Sequence, residues 1–338
     1  MTRHRRAPFV ESGLHVPMRR RTRTPRGPPH RLRTRRLNAA TLRTRCRGTP
    51  DLLANNEMPT TATPKQQIQA NPGLVPALPD VVAEAMRLLD DPEAGPADFD
   101  KVLSRDPSLV ASMLRLANSP VYGFAHKRET VRDAVIGLGL KGLRGMLLGC
   151  SLNKVFGPRF SCYGKDSKTL WRHSLAVAAA AKFLTKALPK SPDDAEEMFV
   201  AGLLHDLGKL LLAPFLTAMG KDLTVGKEPV HFAEQRLLDI DHQEAGGLIA
   251  DKWNLKPMVR AVITHHHFKT GPQAHQHAIA VVRLADYVAS EGGNGAGHLE
   301  AQTQFLAQDL ATVGLDAATW ETLRAGIGEA ITGALSAS

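Results

Sequence analysis

The stretch FVAGLLHDLGKLLLAPF, Phe199–Phe215, decides how the rest of the chain is read. Wound as a helix it is apolar on every side, the pattern of a helix buried in the middle of a domain. The periodicity predicts one continuous helix over 194–213. Yet His205, Asp206 and Lys209 lie inside it. Burying an imidazole, a carboxylate and an ammonium costs several kcal/mol unless each finds a partner. Other segments must supply those partners.

Candidates appear when the remaining histidines are placed on their helices. His173 lies on the stripe Leu170, His173, Val177, Ala180, Leu184, and His242 heads the stripe His242, Ala245, Gly246, Ile249, Trp253. His265 and His266 continue Val259, Val262, Ile263, and Asp286 lies on Ile279, Val282, Asp286, Ala289. Each polar group falls where three-to-four spacing calls for an apolar residue. A single inward histidine is ordinarily a satisfied core group, but five segments that each turn His or Asp inward imply a shared purpose. Imidazoles and carboxylates ligate metals. In one reading they converge on a cation, with His205 and Asp206 as adjacent ligands and Lys209 facing the same pocket, able to grip a phosphate. In the other they form a closed, metal-free network of His–Asp and His–backbone hydrogen bonds. Residue types leave both open.

The net charge of +10 is unevenly spread. Residues 1–50 hold fifteen arginines and one acid, Glu11, whereas residues 51–338 hold 28 basic and 32 acidic residues. The body is thus mildly acidic and the basic character lives in one segment. That segment has no lysine before Lys65, little periodicity and much Pro and Thr, so 1–71 reads as a disordered Arg-rich tail. It can be a nucleic-acid-binding arm, a targeting peptide, or no part of the protein, with translation starting at Met58. Arginine without lysine favours the last. The three cysteines, Cys46, Cys150 and Cys162, show no metal spacing and no disulfide framework, which fits a reducing compartment. No apolar run is expected to span a bilayer, and a cytoplasmic location follows as the default.

From Pro72 the chain is Ala- and Leu-rich with helical periodicity and no convincing alternation, so the fold is read as all-α. Helices are expected over VPALPDVVAEAMRLLDD, over 99–104, and over RDPSLVASMLRLANSP, where Asp106 caps and Pro120 stops. Another spans TVRDAVIGLGLKGLRGMLLGCSLNKVF, whose Gly139, Gly142 and Gly145 predict close helix–helix contact. Further helices are expected near 167–187, 194–213, 228–238, 242–254, 256–267 and 276–290, with Asp193 and Glu196 as a capping box. GGNGAG at 292–297 reads as a flexible joint before a polar helical tail. The organisation expected is two-lobed: a helical bundle over 72–165, a second helical lobe over 166–290, and a joint with tail over 291–338.

The HD pair, followed downstream by HH and an isolated Asp on helices, resembles the HD superfamily of metal-dependent phosphohydrolases. Within it, residues 72–290 are similar to the HDOD domain, a bacterial signalling module, through LVPALPDVV, SRDPSLVASMLRLANSPVYG, LWRHSLAVAAAA, FVAGLLHDLGKLLL, LDIDHQEAGGLIADKWNL, VITHHHF and VVRLADYVAS. The resemblance implies His173, His205, Asp206, His242, His265, His266 and Asp286 as metal ligands, a divalent cation (Mn, Fe or Mg), and Asp206 and Lys209 as catalytic if the chain is an enzyme. Two features of relatives that hydrolyse cyclic dinucleotides are missing: HHHFKTGPQAH has neither the glutamate nor the GYP that follow their HH pair, and Thr169 stands where some have a further glutamate.

The resemblance implies a regulatory protein in signal transduction that binds a signalling protein or a nucleotide. The alternatives are a metal-dependent phosphohydrolase acting on a nucleotide or phosphorylated small molecule, and a nucleic-acid binder if the tail is real. No membrane partner is expected. Mass spectrometry of the protein isolated from its own cells should find an N-terminus at or after Met58; a peptide spanning Arg19–Arg36 would overturn that start.

Overall fold

The computed structural model describes residues 62–155, 162–163, 168–189, 191–223, 228–294 and 304–336. All belong to one compact unit, residues 52–338, and among them there are helices and turns but no strand. The helices are α1 (Pro64–Ala70), α2 (Asp80–Leu88), α3 (Pro96–Leu103), α4 (Pro107–Ala117), α5 (Val131–Val155), α6 (Thr169–Ala187) and α7 (Ala195–Leu204). They continue with α8 (Lys209–Ala218), α9 (Val230–Leu238), α10 (His242–Lys252), α11 (Pro257–His265), α12 (Gln276–Ala289), α13 (Leu306–Val313) and α14 (Ala317–Ser336).

Helix α6 sits in the middle, against α7, α12 and α14. Its sequence explains the placement. The run from Ala178 to Ala181 is small and fully buried, so neighbouring backbones can approach closely. A side chain at Gly202 of α7 would meet the Ala178 Cα and the Val177 carbonyl at 2.9 Å. Helix α5 packs on α3 and α4 on one side and on α7 on the other. The two expected lobes are therefore joined within one packed unit.

The glycines of α5 divide differently from expectation. Gly145 lies against Val200 and Phe199, and Gly149 against Leu203, so these two permit the approach of α7. Gly139 has no neighbour within 4 Å; with φ of 65° it breaks the helix instead. Only a glycine adopts that backbone without strain.

The expected continuous helix over 194–213 is two helices. Between α7 and α8 the chain tightens into i→i+3 hydrogen bonds: Leu207 N–H to Leu204 O (2.9 Å), Lys209 N–H to Asp206 O (3.0 Å) and Leu210 N–H to Leu207 O (3.1 Å). The cause is contact with α10. A Cβ at Gly208 would stand 1.8 Å from the His242 carbonyl oxygen and 2.5 Å from the Gly246 nitrogen. Backbone meets backbone there, and the turn carries His205 and Asp206.

Other expectations need correction. The whole of α1, seven residues, lies inside the segment read as a disordered tail. Thr63 and Gln66 cap this helix reciprocally, Ile68 is buried, and Lys65 reaches Glu244 of α10 at 2.9 Å. Residues 1–61 lie outside the described residues. The cap of α7 is Asp194, which accepts from the Glu196 and Glu197 amides, whereas Asp193 accepts from His277 at 2.7 Å. The helical tail is not peripheral. Trp320, Ile327, Ile331 and Ala334 of α14 are buried, and Arg283 clamps the buried Asp309 of α13 through two oxygens. Two stretches, Val131–Leu152 and Ala195–Ala218, are long and apolar enough to cross a membrane by length and composition, where none was expected. Of their most apolar windows 61% and 94% are buried inside the unit, and the second is interrupted at the turn.

The contact at Gly208 makes a prediction. Gly208→Ala should destabilise the protein by about 3 kcal/mol or prevent folding, because rigid backbone cannot yield to an added methyl. Gly139→Ala, strained only by its φ, should cost about 1–2 kcal/mol. Urea denaturation of the two variants tests the order; equal losses would show that α10 can move away.

Candidate metal centre

Four helices and one turn deliver polar side chains to a single point. His173 comes from α6, His205 and Asp206 from the turn after α7, His242 from the first position of α10, His266 from the end of α11 and Asp286 from α12. All six are at most 4% exposed. Asp206 is the centre. Its Oδ2 lies 3.4 Å from His205 Nε2 and 3.6 Å from His173 Nε2, and its Oδ1 lies 3.4 Å from His242 Nε2 and 3.8 Å from His266 Nε2. Asp286 Oδ1 stands 3.2 Å from His173 Nε2.

The outer ring nitrogens explain why the inner ones converge. His173 Nδ1 donates to the Asn294 carbonyl (2.9 Å), His205 Nδ1 to the Gly202 carbonyl (2.8 Å) and His266 Nδ1 to the Ile263 carbonyl (3.0 Å). His242 Nδ1 donates to the Glu234 carboxylate at 2.5 Å. Carbonyl and carboxylate oxygens can only accept, so Nδ1 carries the proton in each ring and a neutral imidazole turns a bare Nε2 inward. Two such nitrogens then face each other, His173 and His205 at 3.3 Å and His242 and His266 at 3.2 Å. Opposed lone pairs repel. Either a proton on one ring of each pair or a cation between them removes the conflict.

Charges around the cluster are strongly shifted. Burial by itself would raise the Asp206 pKa, but the Lys209 ammonium, 2.7 Å away, and the imidazoles of His205, His242 and His173 hold it well below the usual carboxylate range. Burial pushes His173 down and His266 and His267 well down, which keeps these rings neutral. For His242 burial acts downward too, yet the Glu234 carboxylate outweighs it and raises the pKa.

The structure brings together six of the seven residues expected as ligands. His265 is not among them. It is half-buried, its Nδ1 bonds to the Ala261 carbonyl, and its ring packs on Phe268. Asp206, His242, His266 and the neighbouring His267 each offer an atom within 4.8 Å of the others, as do His173, His205 and Asp206. Lys209 also differs from expectation, since its ammonium is spent on Asp206 instead of being held free for a phosphate. Glu234 escaped the sequence reading, though it is wholly buried and orients His242. Its position four residues after Val230 on the inner face of α9 carried the same signal as the histidines. Its second oxygen, Oε1, is buried, as is the Tyr163 hydroxyl. Burial and the Glu234 charge push the Tyr163 pKa well above its ordinary value.

The donor set fits a divalent metal. Bare Nε2 atoms and a shared carboxylate are borderline and hard donors together, the outer nitrogens are fixed by acceptors as in metal-binding histidines, and Asp206 turns one oxygen toward each group of rings. Two ions would have Asp206 in common.

Comparison with known proteins places the chain. The HDOD domain model matches residues 75–268. An uncharacterized protein of Treponema pallidum is 27% identical over 217 residues, which are 63% of this chain but 41% of that longer protein. The crystal structure of an HDOD domain protein of unknown function from Geobacter sulfurreducens is 28% identical, with a TM-score of 0.59, over 78% of this chain and 93% of the other. A phosphohydrolase candidate from Shewanella amazonensis shares the fold at 23% identity, with a TM-score of 0.57, over 81% of this chain and 98% of the other. A family match across more than half of its length, on the same all-helical fold, means that the chain belongs to the HDOD domain family.

Proposed function

We propose that this protein is a cytoplasmic HDOD regulator in signal transduction that acts by binding a signalling protein or a nucleotide, and that its histidine cluster holds divalent cations. The observation that carries the reading is the closure of the cluster. His173, His205, Asp206, His242, His266 and Asp286 are between 0% and 4% exposed, only His267 beside them is partly exposed, and the Asn294 carbonyl accepts from His173. A phosphohydrolase must admit a phosphoryl group to its metals. A sealed cluster can hold ions and fix the mutual positions of α6, α10, α11 and α12.

The ligands in this reading are His173, His205, Asp206 and Asp286 on one side and Asp206, His242, His266 and His267 on the other. Glu234 keeps the His242 lone pair aimed inward, and Lys209 offsets the Asp206 charge.

The second reading is a metal-dependent phosphohydrolase acting on a nucleotide or phosphorylated small molecule. It is favoured by the sharing of one carboxylate between two donor groups, the arrangement a metal pair needs. Bound Mn, Fe or Mg would supply an activated water and polarise phosphoryl oxygens. Asp206 would be the shared ligand, and Lys209 would hold its charge. Cyclic dinucleotides are not the expected substrate, because neither the glutamate nor GYP follows His266.

Elemental analysis of protein purified without chelator or metal-affinity resin should find a transition metal. Asp206→Ala and His266→Ala should lose it, whereas His265→Ala should keep it. Chelator should lower the melting temperature of the parent protein, since about 100-fold saturation stabilises by roughly 2.7 kcal/mol. Absence of metal together with indifference to chelator would establish the metal-free network. Turnover of a nucleotide by Mn-loaded protein, lost in Asp206→Ala, would establish the hydrolase.

A further inference from the structure

A second feature lies at the other end of α10. A cavity of about 330 Å³ opens between α2, α5 and the C-terminus of α10. Such a volume falls at the lower end of the range for small-molecule sites. Its lining has two halves. One is apolar: Ala77, Leu78, Ala83, Met86 and the ring of Trp253. The other is polar: Arg87, Arg144, Lys252, Asp90 and Asn254.

The charges are what the body of the protein does not predict. Residues 51–338 carry four more acids than bases, yet three cations and one carboxylate face this cavity. Asp90 offsets Arg144, which it meets at 2.6 Å. Lys252 Nζ donates to the Val75 carbonyl at 2.7 Å, a contact that fixes the ammonium without neutralising it. Arg87 is exposed at the rim of the cavity. Two positive charges thus remain uncompensated beside an apolar wall.

That wall is held in place. Trp253 Nε1 donates to the Pro76 carbonyl at 2.9 Å, so Lys252 and Trp253 together tie the 72–76 segment across the end of α10. The indole edge is fixed by this bond and by its own burial, at 8% exposure. An apolar wall that is most open at Ala77, Leu78 and Ala83 and shows an edge of Trp253, next to a guanidinium and an ammonium, suits a ligand with a flat ring and a phosphate; free phosphate is too small to touch both halves.

We infer that this cavity is a binding site for a phosphorylated small molecule with a flat ring, of the size and chemistry of a nucleoside 5′-monophosphate. The phosphate is taken by Arg87 and Lys252, and the ring lies on the wall formed by Trp253, Met86 and Leu78. The inference deepens the regulatory reading, in which the protein acts by binding, by giving the ligand a place away from the metal cluster.

Titration calorimetry on the full chain with AMP, with GMP and with adenosine tests it. The monophosphates should bind saturably and adenosine should not. Arg87→Ala should weaken binding about tenfold or more, the usual effect of losing a hydrogen bond to a charged group. Asp90→Asn, which removes the opposing carboxylate, should tighten it. Both residues are exposed, so neither change threatens the fold. Absence of saturable binding by either monophosphate overturns the site while leaving the metal measurement untouched. Binding that ignores Arg87→Ala and Asp90→Asn, or that is abolished by Asp206→Ala alone, overturns it as well.

Discussion

Asp206 is a carboxylate with 2% of its surface exposed, and the rest of the structure is arranged around keeping it charged. Removing such a group from water costs several kcal/mol after relaxation. An ammonium at 2.7 Å offsets part of that cost, and the imidazole nitrogens that α6, α10, α11 and its own turn bring to within 3.8 Å leave the rest to a proton or a cation shared with the carboxylate. Every one of those helices has to arrive at the correct depth and rotation. The buried charge therefore fixes more of the architecture than any apolar contact does, because apolar contacts tolerate a slide that a buried charge does not.

The fold class was legible because the chain is consistent at each level. Periodicity agrees over α2, α4, α6, α10 and α12, and in α4 the cap and the proline agree with it, since Asp106 accepts from the Leu109 amide as its place before Pro107 implies. Legibility failed where a contact distant in sequence sets the local backbone. His205–Gly208 has helical composition, and nothing within the segment says that it tightens; the reason is the His242 carbonyl against Gly208. The glycines of α5 illustrate the same limit. Their spacing is uniform, yet Gly145 serves packing and Gly139 serves a left-handed turn, a distinction made only by what stands opposite.

At the site the residue types were legible and one register was not. The stripe Val259, Val262, Ile263 continues, at four-residue steps from Val262 and Ile263, to His266 and His267. Three consecutive histidines offered two choices of pair, and the resemblance selected the earlier one. The fold groups the later pair with Asp206 and His242, since α11 ends at His265. Glu234 was lost for a different reason. Its carboxylate accepts from His242 and does not reach the cluster centre itself, although an acid on the inner face of α9 is as costly as any buried histidine.

Helix α10 links the cluster to the rest of the molecule. It begins at His242, runs about 16 Å, and is followed at once by Trp253 on the wall of the basic cavity. Near its start it touches the Asp206 turn through Gly208 and Gly246, and Ile263 of α11 packs against Gly246 as well. A contact made by side chains can absorb a small displacement by changing rotamers. A contact made by backbone cannot, and close-packed interiors transmit strain because they contain so little free volume. The turn that carries His205 and Asp206 and the helix that carries His242 are therefore obliged to move together, which preserves the 3.4 Å approach of His242 to Asp206.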